Sequence, residues 1–247
     1  METFNPFSLE GKTILVTGAS SGIGRGIAVA CSKAGGKIII NGRNHQKLKE
    51  TLSLMEGNQH IILVGDLSDS MQITTLVESL PKLDGIVHCA GIGSRVLCKN
   101  IMEDDIDQML TTNFKAPVLL QTEILKKKKI NKSGSIIFIT SISYNSPSVG
   151  NALYSASKGA LISFANCLQL ELAPRKIRVN CISPAMVWTD LIFKGGLTEE
   201  ELHEDEQKYP LKRYGKPEDI AYLSVYLLSN ASEWMTGSNL RITGGSY

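Results

Sequence analysis

The stretch Thr17-Gly18-Ala19-Ser20-Ser21-Gly22-Ile23-Gly24 decides the fold that this sequence predicts. It follows a short apolar run at 13–17 and opens a helical pattern at 22–33. Glycines in such a turn let the backbone turn tightly and approach a pyrophosphate, which then lies at the positive end of the helix. The order strand, glycine-rich turn, helix therefore predicts a dinucleotide site, and a turn that binds no ligand is the alternative.

Short apolar runs alternate with longer helical patterns along the whole chain. Such alternation predicts a parallel sheet with helices on both sides, because strands that are apolar throughout are buried on both faces. The predicted strands are 13–17, 37–41, 60–64, 85–89, 135–140, 178–182 and 239–242. The predicted helices are 22–33, 44–55, 70–79, 103–127, 154–173 and 217–228. No linker or repeat divides the chain, so we expect a single domain over residues 1–247.

Composition and charge exclude several classes of protein. The chain has 247 residues, of which 43% are hydrophobic and 20% charged, as in ordinary globular proteins. A net charge of +2 is too small to suggest binding to nucleic acid or to a membrane surface. The five cysteines and four histidines show no metal-ligand spacing, so we expect free thiols and no metal. The absence of a signal sequence or a long apolar run predicts a cytoplasmic protein.

The end of the second predicted strand, Ile40-Asn41-Gly42-Arg43, indicates which dinucleotide is bound. An acidic residue about 20 residues after the glycines would bind the ribose 2′-hydroxyl of NAD. No carboxylate is present there, Gly42 leaves room, and Arg43 can pair with a 2′-phosphate. NADP(H) is therefore favoured, with NAD(H) or a merely exposed loop arginine as the alternatives. Ser21 stands where a second basic residue would have strengthened this prediction.

Other predicted strand ends carry small or acidic residues at the edge where open α/β sheets bind ligands. Asp66, followed by Leu67, can accept a hydrogen bond from an adenine amino group or cap a helix. Ala90 and Gly91 form a turn that lets a cofactor lie against the backbone. His88 is interpreted as a hydrogen-bonded core residue without a role. These features place the adenine and central parts of a cofactor along one edge of the sheet.

Tyr154 and Lys158 stand four residues apart at the start of a predicted helix, so their side chains share one face. A phenol has a pKa near ~10, which makes it a poor acid or base at neutral pH. A fixed ammonium group nearby favours the phenolate and lowers that pKa. Alone, such a pair is more often a half-buried ring beside a solvated charge.

Three further places carry candidate functional residues. Ser141 follows the fifth strand and can donate to a substrate carbonyl, with Ser143 as a nearby alternative. Asn113 lies within a long helical pattern, where its amide competes with the helix's own hydrogen bonds. It is therefore a candidate for a special task, and an exposed asparagine without a role is the alternative. We expect the segment 186–213, which follows the sixth strand, to cover the cofactor as a substrate loop or to form a solvated surface helix.

Taken together, these residues resemble the single-domain short-chain dehydrogenase/reductase family. The matching motifs are 17–24, 90–91, Asn113, Ser141, Tyr154, Lys158, 184–189, 215–220, 236–237 and 244–245. The resemblance implies an α/β fold, namely a Rossmann-type doubly wound sheet of seven parallel strands flanked by helices. It also implies assembly as a homotetramer.

The resemblance further implies a role for each catalytic residue. Tyr154 would be the general acid, and Lys158 would lower its pKa and hold the nicotinamide ribose. Ser141 would polarise the carbonyl, and Asn113 would open its helix and hold a water that links Lys158 to solvent. The implied cofactor contacts are Gly18, Ser20, Ser21, Gly22, Ile23, Gly24, Arg43, Asp66, Leu67, Ala90, Gly91, Tyr154, Lys158, Pro184, Val187 and Thr189, the last at the nicotinamide end.

Within the family the pattern is most similar to 3-oxoacyl-[acyl-carrier-protein] reductases. Lys132 and Arg175 fall where such reductases place basic residues for the acyl carrier protein. Three residues depart from the family pattern, namely Cys89, Ala185 and Thr243. The resemblance predicts NADPH-dependent reduction of a carbonyl, with a 3-oxoacyl thioester or another small carbonyl compound as the substrate. The alternatives are an NAD(P)-dependent sugar, polyol or other alcohol dehydrogenase, and a non-catalytic dinucleotide-binding regulator.

Overall fold

Seven strands, all paired in parallel, form one sheet in the computed structural model, which describes residues 4–196 and 198–246. The strands are β1 (Thr13–Val16), β2 (Lys37–Gly42), β3 (Ile61–Val64), β4 (Leu83–His88), β5 (Ile130–Ile139), β6 (Arg178–Pro184) and β7 (Asn239–Ile242). Their order across the sheet is β3-β2-β1-β4-β5-β6-β7. The chain reverses its direction of progress between β1 and β4, and ligands bind at such a reversal in open α/β sheets. The predicted doubly wound fold is confirmed.

Helices cover both faces of this sheet. They are α1 (Gly22–Lys33), α2 (His45–Ser53), α3 (Ser70–Ser79), α4 (Glu103–Leu110), α5 (Ala116–Lys126), α6 (Ala152–Leu172), α7 (Glu199–Glu206) and α8 (Pro217–Leu228). The single helix predicted at 103–127 is in fact α4 and α5, joined by the π-helical turn Thr111–Lys115. Of the described helices, none is both long and apolar enough to cross a membrane.

The alternating side chains of the strands divide the core into two layers. In β1, Ile14 and Val16 point to the layer that contains Ile27 of α1, and Leu15 points to the opposite layer with Leu120 of α5. All five of these side chains are fully buried. Burial on both faces explains why Ile14, Leu15 and Val16 are all apolar, as in central strands of parallel sheets.

Strand β5 differs most from its predicted bounds, since it begins at Ile130 rather than near 135. Its register against β4 jumps from the pair Leu83–Ile130 to the pair Gly85–Ser135, so the residues between them form a bulge. Ser133 adopts a left-handed conformation within this bulge. The bulge lies at the amino end of the strand, and the regular part of β5 leads directly to Ser141.

Candidate active site

A cavity of about 960 Å³ opens along the carboxyl edge of the sheet. It is lined by the ends of β1, β2, β4, β5 and β6 and by the first turns of α1 and α6. Every predicted catalytic and cofactor-binding residue lines it, with the exception of Asn113. Its volume is at the upper end of the range for small-molecule and cofactor sites.

The glycine-rich turn forms one end of the cavity by close backbone contact. Gly18 has a φ of +65°, and a Cβ there would lie 2.7 Å from the Cα atom of Ala90. A Cβ on Gly24 would overlap the carbonyl oxygen of Gly18. The hydroxyl of Thr17 holds the facing turn, since it accepts from the N–H groups of Cys89 at 3.0 Å and Ala90 at 3.2 Å. No side chain therefore covers the backbone at Gly18 and Gly24, where a pyrophosphate would approach it. The site fits a dinucleotide.

Ser141 and Tyr154 are joined by a hydrogen bond at the wall of the cavity. Ser141 follows β5, and its Oγ also accepts from the backbone N–H of Ser143 at 3.2 Å. Burial raises the pKa of the Tyr154 phenol above its ordinary value, and the hydrogen bond with Ser141 acts in the opposite direction. The phenol is therefore protonated at neutral pH, as a general acid has to be before it donates.

Lys158 lies one helical turn beyond Tyr154 and is 5% exposed. Its Nζ donates to the carbonyl oxygen of Ile139 at 3.0 Å and lies 5.7 Å from the centre of the Tyr154 ring. Burial lowers the pKa of Lys158 to about 8. The amine is thus mostly charged at neutral pH, and it can stabilise a phenolate that forms beside it.

Asn113 lies fully buried in the π-helical turn, outside the cavity. Its Oδ1 accepts from the N–H of Ile92 at 2.8 Å, and its Nδ2 donates to the carbonyl oxygen of Ile92 at 2.9 Å and to the Ser157 hydroxyl at 3.2 Å. A Cβ on Gly91 would lie 3.1 Å from Asn113 Oδ1 and 3.4 Å from Lys158 Nζ. Asn113 therefore joins the loop after β4 to α6, and its role in holding a water remains a prediction.

The part of the cavity next to the glycine-rich turn, beside Ser20, carries the residues predicted to bind the adenosine. Arg43 pairs with Asp66 across 3.7 Å, and the two side chains are 73% and 36% exposed. Hydrogen bonds from Ser68 are the main reason that the pKa of Asp66 lies below its ordinary value. A pair this exposed contributes little stability, so both groups can exchange partners when a ligand binds.

Several residues of the segment 186–213, among them Val187, Thr189 and Asp205, line the cavity, and α7 lies within the segment. Its role as a substrate loop remains a prediction. Val187 bridges to Gly215. The Glu206 carboxylate accepts from Nε1 of Trp188 at 2.9 Å and from the N–H of Tyr214 at 3.2 Å. A short helix with several specific contacts thus occupies the segment. Residue 197 lies outside the described residues.

Burial determines the protonation states of His88 and Cys89, to which the sequence assigned no firm role. His88 is buried, stacks on Phe138 with ring centres 4.6 Å apart, and lies 3.0 Å from Oε1 of Gln121. Burial lowers its pKa to about 4, so it is a neutral core residue. Cys89 lines the cavity, and burial raises the pKa of its thiol to about 12. All five cysteines are free.

The two basic residues assigned to a carrier protein lie far from this site. Lys132 lies in the bulged first part of β5 and Arg175 lies just before β6, while Ser135 pairs with Arg178, the first residue of β6. The strand from Ser135 to Ser141 spans roughly 20 Å. In addition, Arg175 donates to the carbonyl oxygen of Ile130 at 2.8 Å. Within this chain, these two residues are therefore at the opposite edge of the sheet from the catalytic residues.

Sequence reasoning missed two cations in the cavity wall, Lys47 at the start of α2 and Arg95 in the loop after β4. Lys47 stands four residues after Arg43, which is the only signal that the sequence offered for it. Arg95 follows the Ala90-Gly91 turn and has an electrostatic contact with Asp205 of α7. No motif marks it.

The chain is similar to proteins of known family. Residues 18–246 match a family model described as enoyl-(acyl carrier protein) reductase. A relative, the 3-oxoacyl-[acyl-carrier-protein] reductase FabG of Rickettsia felis, is 38% identical over 237 residues, which cover 96% of this chain and 97% of the relative.

Solved structures agree with that similarity. A short-chain dehydrogenase/reductase from Brucella melitensis, named as a glucose/ribitol dehydrogenase, superposes with a TM-score of 0.91 at 28% identity, covering 98% of this chain and 99% of that one. A putative NAD(P)-dependent gluconate 5-dehydrogenase from Beutenbergia cavernae, solved with NADP bound at low occupancy, has a TM-score of 0.88 at 31% identity and covers 98% of each chain.

Proposed function

Since the chain belongs to the short-chain dehydrogenase/reductase family of NAD(P)-dependent oxidoreductases, we propose that it uses NADPH to reduce a carbonyl to a secondary alcohol. The proposed substrates are 3-oxoacyl thioesters. The observation that carries the proposal is the hydrogen-bonded pair of Ser141 and Tyr154, with Lys158 one turn away, in the wall of a cavity that begins at the glycine-rich turn.

The residues of the cavity fit the parts of a nicotinamide dinucleotide in order. The turn 18–24 would hold the pyrophosphate, and Arg43 would hold a 2′-phosphate. Thr189, with Pro184 and Val187 before it, would contact the nicotinamide end. When bound, the reduced nicotinamide supplies a hydride, that is, two electrons, to the carbonyl carbon.

The proton chemistry is assigned to the side chains of this chain. Ser141 donates a hydrogen bond to the carbonyl oxygen and orients it. The O–H bond of Tyr154 breaks as its proton moves to that oxygen, which leaves a phenolate. The Lys158 ammonium stabilises the phenolate until a proton from solvent restores the phenol.

The preference for NADPH is supported by the charges at the end of β2. A carboxylate that would accept from a ribose 2′-hydroxyl is absent between Ile40 and Arg43. The guanidinium of Arg43 lines the cavity there, and Gly42 leaves space beside the Ser20 hydroxyl, which would lie 3.4 Å from an added Cβ.

The proposed substrate class is supported by the relative from Rickettsia felis, which is a 3-oxoacyl-[acyl-carrier-protein] reductase by name. A second candidate, oxidation of a sugar acid or polyol, is favoured by polar groups in the substrate part of the cavity, namely Ser94, Arg95, Ser148, Asn151 and Asp205. Such groups suit a substrate with several hydroxyls.

A rate assay distinguishes the two candidates. Purified protein is mixed with NADPH or NADH and acetoacetyl-CoA, with acetyl-CoA as the control that lacks the 3-oxo group. The proposal predicts oxidation of NADPH with acetoacetyl-CoA only. Reduction of NADP⁺ by gluconate or ribitol without activity on acetoacetyl-CoA would replace it with the second candidate. No turnover in either direction would favour a non-catalytic dinucleotide-binding protein.

We also propose a homotetramer, with the exposed face of α4 as one contact between copies. Met102, just before α4, and Ile106 and Leu110 within it recur every fourth residue, and these residues are 65%, 38% and 36% exposed. A row of exposed apolar side chains on one helix is typical of an interface. Light scattering of the purified protein should give four times the mass of one chain, and Ile106→Glu should lower that mass.

A further inference from the structure

A 2′-phosphate would bring more negative charge to the adenosine end of the cavity than Arg43 balances. A phosphate monoester carries nearly two negative charges at neutral pH. Arg43 is already paired with Asp66 across 3.7 Å, so part of its charge is compensated. Ser21, in the glycine-rich turn, is neutral where a basic residue would have helped. A second cation would have to come from another element.

Helix α2 is held against the glycine-rich turn by specific hydrogen bonds. The Thr51 hydroxyl donates to the carbonyl oxygen of Ala19 at 2.8 Å and accepts from Nε of Arg25 at 3.0 Å. A terminal nitrogen of the same guanidinium donates to the carbonyl oxygens of Ser20 at 2.7 Å and Lys47 at 3.4 Å. These contacts fix the first turn of α2, which carries Lys47, beside the turn that would hold the phosphates.

The Lys47 side chain is available for a ligand. Lys47 lines the same cavity as Ser20 and Arg43, and it is exposed. Across residues 4–196 and 198–246, its ammonium group has no carboxylate partner. The neighbouring Arg25 is engaged with Glu50 at 3.1 Å as well as with the backbone, and it does not line the cavity.

We propose that Lys47 is the second cationic contact of the cofactor's 2′-phosphate and sets the preference for NADP(H) together with Arg43. This role rests on the proposed use of NADPH and adds to it a residue that no glycine or strand-end motif marks. An ammonium group acts as a point charge, so Lys47 attracts the phosphate without shaping the site around it.

Calorimetric titration of the purified protein with NADP⁺ and with NAD⁺ tests this role without turnover. Lys47→Ala should weaken the binding of NADP⁺ about 3- to 5-fold, the upper range for one exposed ion pair. It should change the binding of NAD⁺ by less than about 2-fold, because NAD⁺ lacks the phosphate. Lys49→Ala is the matched control, since Lys49 is exposed on the same helix but lies outside the cavity lining. Lys47→Arg should keep the preference, and higher salt should reduce the difference between wild type and Lys47→Ala.

The titrations distinguish failure of the proposed use of NADPH from failure of the role of Lys47. If the wild-type protein binds NADP⁺ no more tightly than NAD⁺, the proposed use of NADPH fails, and the role of Lys47 fails with it. If the wild type prefers NADP⁺ and Lys47→Ala changes both affinities equally or not at all, only the role of Lys47 is overturned. An equal loss in Lys49→Ala would also overturn that role, because it would reveal a general charge effect.

Discussion

The ammonium group of Lys158 lies 5.7 Å from the centre of the Tyr154 ring, on the same face of α6 and one turn away. The lysine is held there by the carbonyl oxygen of Ile139, at 3.0 Å from Nζ. Burial acts on the two groups in opposite directions, because it raises the pKa of the phenol and lowers that of the amine. Because the lowered pKa of Lys158 is still about 8, a protonated phenol lies beside a mostly charged amine at neutral pH, which is the arrangement that reduction requires.

The pKa of Lys158 predicts how the rate of reduction depends on pH. Burial lowers this pKa to about 8, so the amine is charged below that pH and neutral above it. A neutral amine no longer stabilises the phenolate that forms at Tyr154. We expect kcat/KM for reduction to be constant on the acidic side of this pKa and to fall above it, measured by NADPH absorbance across pH 6 to 10.

The variant Lys158→Arg is the control for that profile. A guanidinium remains charged throughout this range, so the decrease above pH 8 should disappear even though the rate itself is lower. A decrease at the same pH in both proteins would show that another group titrates, and the assignment to Lys158 would be wrong.

Arg43→Ala should weaken the use of NADPH and leave that of NADH nearly unchanged. The guanidinium is the expected partner of the 2′-phosphate, and a hydrogen bond to a charged group contributes about 1.5–3 kcal/mol, or roughly 10- to 150-fold in KM. Steady-state rates with both cofactors measure the ratio. An equal rise in the two KM values would contradict the assignment of the phosphate to Arg43.

The buried pair of His88 and Gln121 should make the protein less stable in mild acid. Burial lowers the pKa of His88 from its ordinary value of 6.5 to about 4. The unfolded chain therefore binds this proton more readily, and stability falls as the pH decreases from 6.5 towards 4. The loss is at most on the order of 3 kcal/mol.

Urea unfolding of the wild type and of the double variant His88→Phe/Gln121→Leu at pH 7 and pH 5 measures this contribution. The variant replaces both polar groups with apolar ones, so its free energy of unfolding should depend less on pH. The same dependence in both proteins would mean that His88 does not contribute to it.

Glu206→Ala should loosen α7 and the segment around Trp188. The carboxylate accepts from Trp188 and Tyr214 and lies 2.9 Å from Nδ1 of His203. Trp234 is fully exposed, so a red shift of tryptophan emission on substitution would report on Trp188. We expect that shift, together with a higher KM for the substrate. Glu204→Ala, an exposed neighbour on the same helix, should change neither quantity. Unchanged emission in Glu206→Ala would contradict this role.

The order of strands and helices was predicted well from the sequence, because the spacing of apolar residues reflects which faces of each element are buried. Six of the seven predicted strands match the observed ones within two residues at each end, and β1 is apolar because both of its faces are covered. The exception is β5, whose early part is a bulge that no apolar pattern marks. The sequence also did not predict that α4 and α5 are separate helices. Asn113, which lies in the π-helical turn between them, did indicate a local departure from regular helical hydrogen bonding.

Part of the site could be predicted from the sequence because of the topology of a parallel sheet. Residues at strand ends and at the glycine-rich turn meet at one edge of a parallel sheet, so their convergence follows from the topology. Lys47 and Arg95 were not predicted, since their proximity to the cavity depends on how α2 and the loop after β4 pack. The placement of Lys132 and Arg175 at the opposite edge was likewise hidden until the strand register was known.

The most direct test of the account is turnover by Tyr154→Phe, which removes one hydroxyl and keeps the ring. NADPH oxidation with acetoacetyl-CoA is compared with the wild type, and NADPH binding is measured on the same samples by titration. We expect the rate to fall by at least about 10²-fold, as for loss of a general acid, while the affinity for NADPH changes little. Turnover close to that of the wild type would contradict the proposal that Tyr154 donates the proton.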